Sequence, residues 1–379
     1  MARADGGGAV ALRRPDDLRA IDGDRAVHLH DVLTVKRVLV VIIAALFLVE
    51  VAAQIARPVY RWIVPVPTDD RVNADVYAGK EWAEDYFRDL RSIPIRWEPY
   101  TYWRRETFDG DGISVYQGQR WTPAPKTTVK VVFCLGGSAM WGTGVRDLET
   151  IPSLLAERFP TWTFVNLAES GYVSTQELIV LILALQRGER PSVVIFYDGV
   201  NDLTAAYQGR PGQPLNESNR EREFNLLQPD RWMERVRLAF GDMLDKSVIA
   251  RAVRRGHHSE LSPPSDPVLI ARAMSLYEAN LTMARALGKR YGFQVLAYWQ
   301  PTVFDKLQLS PHETRQAEQS AGIEPWIRES RALYLNRIGV HDLSGIFRDD
   351  PKPRFVDAWH VGEEGNVVIA DRIAEDLAE

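Results

Sequence analysis

The sequence has a single cysteine in 379 residues, which excludes any intramolecular disulfide. Cys134 lies within an apolar run, so we interpret it as a small buried hydrophobic side chain. An excess of positive charge is also missing: 46 Lys and Arg stand against 51 Asp and Glu, and the net charge of -5 argues against a nucleic-acid partner. The few histidines show no metal-ligand spacing with Cys, Asp or Glu, so neither a metal nor another cofactor is expected.

Long apolar runs are scarce as well, and residues 38–56 form the one run of membrane-spanning length. At about 1.5 Å per residue this run reaches about 28 Å, close to the thickness of a hydrocarbon core. Glu50 and Gln54 interrupt it near its end, where they can reach the interface. We therefore predict a transmembrane signal anchor over residues 36–57, after a flexible tail over residues 1–35; a cleaved signal peptide and a buried helix are the alternatives.

Residues 58–127 are predicted to form a linker and an accessory segment. Prolines from Pro58 to Pro67 break the preceding helix. The remainder is dense in aromatic side chains, which is typical of packed structure rather than of a linker. We favour burial of these rings in an accessory layer against the core, and a sugar-stacking surface is the alternative. The aromatic residues are Tyr77, Trp82, Tyr86, Phe87, Trp97, Tyr100, Tyr102 and Trp103.

Over residues 128–379, apolar β-branched runs alternate with amphipathic stretches. Strands separated by helices imply right-handed crossovers, and therefore an α/β fold in which helices cover both faces of a parallel sheet. Residues 203–266 interrupt this rhythm with Gly, Pro and charged residues, so we interpret them as a lid or specificity insertion. The predicted strands are 129–135, 163–167, 192–198, 293–299 and 340–343, and the predicted helices are 151–159, 174–186, 268–291, 312–336 and 363–377.

The pattern around Ser138 carries the strongest functional signal. The apolar run from Val131 stops at two glycines, which predicts a buried strand with the Ser138 hydroxyl in a sharp turn at its carboxyl end. Ligands bind at that end of the strands in open α/β sheets. A serine hydroxyl needs a base to become a nucleophile, and His360 has Asp357 three residues before it. We predict Ser138 as nucleophile, His360 as base and Asp357 as the acid that orients the imidazole. A surface turn is the alternative interpretation of Asp357 and His360.

Four short blocks in chain order resemble the SGNH hydrolase superfamily, also known as GDSL-type esterases. The blocks are Gly136-Gly137-Ser138, Ser170-Gly171-Tyr172, Gly199-Val200-Asn201-Asp202 and Asp357-Ala358-Trp359-His360. Gly137 departs from the pattern, because the family has Asp at this position; the catalytic roles do not depend on that Asp. The resemblance covers residues 128–379 and implies a three-layer α/β/α, flavodoxin-like parallel sheet.

The resemblance also implies the roles of the site residues. It assigns catalysis to Ser138, Asp357 and His360, and an oxyanion hole to the backbone N–H groups of Ser138 and Gly171 with the Asn201 side chain. Glycine permits close backbone approach, and the uncharged amide of Asn201 can donate to an oxyanion. An Asx turn or a helix cap is the alternative role of Asn201.

The functional hypothesis is a serine esterase that hydrolyses carboxylic esters, in particular acetyl esters, on a cell-surface polysaccharide or glycan. The expected substrate is an acylated carbohydrate or another small ester. An O-acetyltransferase would use the same triad and pass the acyl group to a sugar hydroxyl. A non-catalytic glycan-binding subunit of an export assembly is the third hypothesis. Similarity to membrane-anchored bacterial members of the family implies a single pass through the cytoplasmic (inner) membrane, with the catalytic domain on the periplasmic or extracytoplasmic side.

Overall fold

The structure is a computed structural model that describes residues 69–227 and 264–378, together with ten helical positions between Lys36 and Ala52. Both long ranges belong to one compact unit. The predicted tail and most of the predicted anchor lie outside the described residues, as do residues 228–263 of the predicted insertion. Within the described part of the chain, no helix has both the length and the apolar character that a membrane span requires.

Ten strands in the described ranges form two sheets. In chain order they are β1 (Ile95–Glu98), β2 (Tyr102–Arg105), β3 (Phe108–Asp109), β4 (Ser114–Tyr116), β5 (Gln119–Arg120), β6 (Lys130–Gly136), β7 (Trp162–Asn166), β8 (Val193–Asp198), β9 (Gln294–Trp299) and β10 (His341–Asp342). The larger sheet has the order β10-β9-β8-β6-β7-β5-β4-β3, and its strands from β10 to β7 are parallel. Every residue of β8 is buried, so both faces of the sheet are covered. The predicted α/β fold with a mainly parallel sheet is confirmed.

Ten α-helices in the same ranges surround this sheet. They are α1 (Trp82–Ser92), α2 (Ser138–Trp141), α3 (Ile151–Arg158), α4 (Ser174–Gln186), α5 (Val200–Tyr207), α6 (Glu217–Leu227), α7 (Pro267–Tyr291), α8 (Pro311–Gln319), α9 (Glu324–Ile338) and α10 (Glu363–Ala378). Helices α4, α5 and α9 pack against α7, while α3 packs against α10. The five predicted strands and four of the five predicted helices agree with the structure to within one residue at each end.

The fifth predicted helix, over residues 312–336, is wrong because two helices occupy this stretch. A short 3-10 turn over Ala321–Ile323 separates α8 from α9. Pro325 explains the break: it has no N–H to continue an existing helix, but it fits the first turn of a new one. The break ends α8 after nine residues, and Ser310 caps the start of this helix.

The accessory segment extends the sheet, whereas we expected it to form a layer against the core. Strands β3, β4 and β5 are antiparallel, and β5 pairs with the edge of β7 at Arg120 and Asn166. Strand edges carry unpaired N–H and C=O groups, so this addition satisfies the edge that β7 would otherwise expose. Strands β1 and β2 form a separate antiparallel hairpin.

The aromatic residues of the accessory segment comprise a group packed with the core, an exposed pair, and two half-buried rings, Tyr102 and Trp103. Rings on residues 77–87 pack into or against the core, and the Tyr86 hydroxyl accepts a hydrogen bond from the Gly144 N–H at 2.9 Å. By contrast, Trp97 and Tyr100 of the β1–β2 hairpin are exposed to solvent. The favoured expectation of burial therefore holds for the first group and is wrong for these two rings.

Candidate active site

The Ser138 hydroxyl lies where β6 ends and α2 begins. Gly136, the last residue of β6, has a φ of +155°, and a side chain there would overlap the Tyr197 carbonyl oxygen on β8. Glycine therefore allows β6 and β8 to keep their parallel pairing as far as the turn. The turn places Ser138 at the carboxyl edge of the parallel strands, where open α/β sheets bind ligands.

His360 lies against Ser138 although 222 residues separate them in sequence. Ser138 Oγ is 2.7 Å from His360 Nε2, and His360 Nδ1 is 2.7 Å from Asp357 Oδ2. A carboxylate only accepts hydrogen bonds, so Nδ1 carries a proton and Nε2 of the neutral ring is free to accept one. The structure thus brings the three predicted catalytic residues together in the order that proton transfer from Ser138 requires.

The Asp357 carboxylate is surrounded by donors. Its Oδ1 accepts from the backbone N–H groups of Trp359 at 3.0 Å and His360 at 2.9 Å, and the Arg71 guanidinium lies 3.6 Å from Oδ2. Burial alone would raise the pKa of Asp357, but the His360 charge, these hydrogen bonds and Arg71 outweigh burial and lower the pKa to about 2. Asp357 is therefore ionised at neutral pH, as an acid that orients a histidine must be.

The start of α8 fixes residues 354–360, here called the catalytic loop after the predicted roles of Asp357 and His360. Glu313 Oε1 accepts from two backbone N–H groups at the start of this loop, at 2.8 and 3.0 Å. Its Oε2 pairs with Lys306 at 2.8 Å, and both side chains are fully buried. His312 Nε2 donates to the Val356 carbonyl at 2.8 Å. Buried charges are stable only when fully hydrogen-bonded, so these contacts hold the loop backbone in one position.

The three predicted oxyanion donors lie around one turn. The Asn201 amide donates to the Tyr172 carbonyl at 2.8 Å, and a side chain at Gly137 would overlap the amide nitrogen. Gly171 has a φ of +78°, which favours glycine. Among the described residues, the backbone N–H groups of Ser138 and Gly171 have no protein acceptor. The missing side chain at Gly137 therefore leaves room for the Asn201 amide beside the turn.

Two arginines of the accessory segment hold the helix that Ser138 begins. The guanidinium carbons of Arg105 and Arg120 lie 4.1 and 4.4 Å from the centre of the Trp141 ring on α2. Arg105 also pairs with the buried carboxylate of Glu169, which accepts from the Ser170 N–H at 2.8 Å. The accessory segment thereby positions both α2 and the loop that carries Gly171, a role that sequence reasoning missed.

Three buried acids, Glu177, Asp198 and Asp202, lie on and beside the helix that carries Asn201. Asp202 accepts from the Ser174 N–H at 3.1 Å and its hydroxyl at 2.6 Å, and the Tyr277 hydroxyl donates to Asp198. Burial, with the Asp198 charge second, raises the pKa of Asp202 to about 7 and that of Glu177 well above its usual value. Within residues 69–227 and 264–378, no group of three or more His, Cys, Asp or Glu side chains is arranged to hold a metal ion.

We expect Glu177→Gln to make the protein more resistant to alkaline unfolding. An acid whose pKa is raised by folding does not lower the free energy of unfolding while the pH is below its unfolded pKa. Between its unfolded and its folded pKa, it lowers the free energy of unfolding by about 1.4 kcal/mol per pH unit. Gln cannot ionise, so the variant escapes this penalty. The free energy of unfolding in urea, measured at pH 6 and pH 9, should favour the variant more at pH 9. The exposed Glu157→Gln serves as control, and an equal pH dependence in wild type and Glu177→Gln would contradict the prediction.

Comparison with known proteins returns similar solved structures. No family model matches the sequence, and no curated protein matches it. The chain is similar to a member of the lipolytic G-D-S-L family from Veillonella parvula, with 12% identity, a TM-score of 0.39, and coverage of 66% of this chain and 98% of that chain. A carbohydrate acetylesterase from Sinorhizobium meliloti has 17% identity and a TM-score of 0.37, with 66% and 98% covered. An acetyl xylan esterase has 16% identity and a TM-score of 0.36, with 65% and 99% covered.

Proposed function

We propose that this protein is a serine carboxylic-ester hydrolase of the SGNH type that removes acetyl or similarly short acyl groups from a carbohydrate. The observation that carries this proposal is the hydrogen-bonded series of Ser138, His360 and Asp357, with 2.7 Å at both links. The donors around the adjacent turn support it, because an acyl-transfer site needs groups that stabilise an oxyanion.

In the acylation step, His360 acts twice, first as base and then as acid. His360 Nε2 takes the hydroxyl proton while Ser138 Oγ attacks the acyl carbon. The oxyanion develops beside the N–H groups of Ser138 and Gly171 and the Asn201 amide, which stabilise it. His360 then gives its proton to the sugar oxygen as the C–O bond breaks, and Asp357 stabilises the imidazolium in between.

The deacylation step decides between hydrolase and transferase. Water, activated by His360, attacks the acyl group on Ser138 and releases the carboxylic acid. A transferase would admit a sugar hydroxyl at this step and would use the same residues.

The surroundings of Gly171 favour a short acyl group on a carbohydrate. A Cβ at Gly171 would lie 3.5 Å from Trp103 and 3.7 Å from Leu215, so these side chains bound the space beside the turn. Exposed rings of the β1–β2 hairpin stand next to Trp103 and suit a sugar as the alcohol part of the ester.

The purified chain, assayed on 4-nitrophenyl acetate and partly acetylated xylo-oligosaccharides, tests the proposal. We expect acetate to be released from both, and a fluorophosphonate to label Ser138 in peptide mass spectrometry. Acetyl transfer to an added sugar, with little free acetate, would favour the acetyltransferase. Absence of both turnover and labelling would contradict an enzyme and leave the glycan-binding role.

We expect Asn201→Ala to lower kcat by about 10²–10³ with a smaller effect on KM, because an oxyanion donor acts mainly on the transition state. Gly137→Ala should lower kcat by about 10–10², since its methyl group displaces the Asn201 amide. The Gly137 backbone is extended, with φ of -82°, so the melting temperature should stay near that of the wild type.

Gly136→Ala is the matched control for Gly137→Ala. A side chain at Gly136 meets a backbone carbonyl that cannot move aside, so this variant should lose stability rather than catalysis alone. Wild-type kcat in Gly137→Ala would contradict the predicted displacement. A strong rise in KM at unchanged kcat in Asn201→Ala would make Asn201 a substrate-binding residue.

We also propose that residues 36–57 anchor the chain in the cytoplasmic membrane with the catalytic unit outside the cytoplasm, as the apolar run of residues 38–56 suggests. Deleting residues 1–60 should give a soluble, active protein. Deleting residues 1–127 should abolish folding, because the core then loses the contacts of β5 and of the buried rings. Full-length protein in a detergent-free soluble fraction would contradict the anchor, and an N-terminus near Gln54 would show cleavage.

A further inference from the structure

The β1–β2 hairpin presents aromatic rings to solvent at a strained turn. Trp97 and Tyr100 are 63% and 71% exposed. Tyr100 and Tyr102 have φ of +69° and +74°, a left-handed conformation that residues with a Cβ rarely adopt. Glycine would relieve this strain at a simple turn, so strained tyrosines at these positions point to a function for the side chains.

The aromatic surface of the hairpin begins at the oxyanion turn. Trp103 Nε1 donates to the Ser170 carbonyl at 2.9 Å, and the Tyr172 hydroxyl donates to the Trp103 carbonyl at 2.6 Å. The Trp103 ring stands 3.5 Å from the position of a Cβ on Gly171. Trp103 therefore lies directly beside the residue that is proposed to bind the oxyanion.

Arg220 of α6 links Trp103 to the outer rings. Its guanidinium carbon lies 4.4 Å from the centre of the Trp103 ring and 5.2 Å from that of Tyr102. The ring centres of Tyr102 and Trp97 are 5.2 Å apart. These contacts connect Trp103, Tyr102 and Trp97, and the exposed Tyr100 lies in the turn between the two strands. The four residues are here called the aromatic row, which runs from the oxyanion turn to the exposed end of the hairpin.

We propose that the aromatic row binds the sugar chain of the ester substrate, with Arg220 as a polar contact beside it. This inference rests on the proposed esterase function: an acyl group that reacts at Ser138 directs the alcohol part of the ester outward. Sugar rings have C–H faces that pack on aromatic rings, while their hydroxyl groups bond to charged side chains. A row of several rings contacts more than one sugar unit, so the surface suits an oligosaccharide or polysaccharide.

The charges on the hairpin favour a sugar over a lipid surface. Arg96 and Glu98 of β1 form an ion pair at 3.1 Å. Arg220 lies 3.5 Å from the Glu217 carboxylate, and its guanidinium lies against the Trp103 ring of the hairpin. A membrane-binding surface needs a continuous apolar face or unpaired basic side chains. Aromatic faces interrupted by paired charges suit a ligand that is itself both polar and apolar.

Activity on substrates of different length tests the aromatic row. The measured quantity is the ratio of kcat/KM for acetylated xylohexaose to kcat/KM for 4-nitrophenyl acetate. Trp97→Ala and Tyr100→Ala should each lower this ratio about tenfold. Tyr291→Ala should leave it unchanged, because Tyr291 is 42% exposed but lies at the end of α7, next to the amino end of β9 and opposite to Ser138.

Binding of unacetylated xylohexaose to Ser138→Ala, measured by calorimetry, tests the aromatic row without turnover. Trp97→Ala added to this variant should weaken binding about tenfold. No hexasaccharide binding, or an unchanged ratio in Trp97→Ala and Tyr100→Ala, would overturn the proposal while leaving the esterase intact. Loss of binding to phosphatidylcholine vesicles in Trp97→Ala, with an unchanged ratio, would overturn it in favour of a membrane contact. A wild-type protein that cleaves neither ester would instead contradict the esterase function itself.

Discussion

Ser138→Ala is expected to lower kcat for ester hydrolysis by a factor on the order of 10⁴ or more. The Ser138 hydroxyl is the atom 2.7 Å from the His360 base, and alanine offers nothing that can receive the acyl group. Since the change removes one half-buried hydroxyl at the turn, we expect the melting temperature to remain close to that of the wild type. Turnover of 4-nitrophenyl acetate and thermal unfolding, measured on the same preparation, check both statements.

Ser92→Ala is a suitable control for this experiment. Ser92 is exposed at the end of α1, where its hydroxyl bonds only to the Asp89 carbonyl among the described residues, at 2.8 Å. Its replacement should change neither turnover nor fluorophosphonate labelling. Near-wild-type hydrolysis by Ser138→Ala would rule out the proposed mechanism.

Asp357→Asn is expected to reduce kcat by a factor approaching 10⁴, because it favours the His360 tautomer that carries its proton on Nε2. Asp357 Oδ1 accepts from two backbone N–H groups, so an Asn oxygen would take this place and its NH₂ would face His360 Nδ1. The ring would then have to accept at Nδ1 and carry its proton on Nε2. A protonated Nε2 cannot receive the Ser138 proton, so catalysis should fall while substrate binding persists.

The exposed ion pair of Asp371 and Arg158 provides the control for Asp357→Asn. Asp371→Asn removes the same charge from the surface of α10 and should leave kcat unchanged. A loss below about tenfold in Asp357→Asn would show that Ser138 and His360 work as a dyad.

The low pKa of Asp357 adds a stability readout to the same variant. A carboxylate whose pKa falls from 3.8 to about 2 on folding stabilises the fold above pH 4, and the contribution disappears as the pH falls toward 2. The expected size is about 2 kcal/mol. Asp357→Asn should lack this acid-dependent change in the free energy of unfolding.

Local patterns predicted the parallel core because each element carries its own signal. A run of buried β-branched residues marks β8, and Gly292 marks the end of α7. Both signals lie within the elements or next to them in sequence. The pairing of Arg120 with Asn166 has no such signal, since two residues of β5 say nothing about which edge they join. The extension of the sheet was therefore beyond local reasoning.

In the candidate site, too, some features have a local sequence signal and others have none. The glycine turn at Ser138 and the spacing of Asp357 and His360 predict chemistry, and the carboxyl edge of a parallel sheet explains why they meet. Lys306 and Glu313 look like surface charges in the sequence, although they are fully buried under the catalytic loop. The one available signal was the capping box of Ser310 and Glu313, which marks a helix start but not its burial.

The long separation of Ser138 from His360 also orders events during synthesis. At about 5–20 residues per second, Ser138 is synthesised roughly ten seconds or more before His360. Glu313, which fixes the catalytic loop, emerges late as well. On the proposed mechanism, a nascent chain that stalls before this loop holds Ser138 without the base that takes its proton, so we expect it to hydrolyse no ester. If the proposed mechanism holds, ester turnover requires a chain that includes His360, just before the last helix.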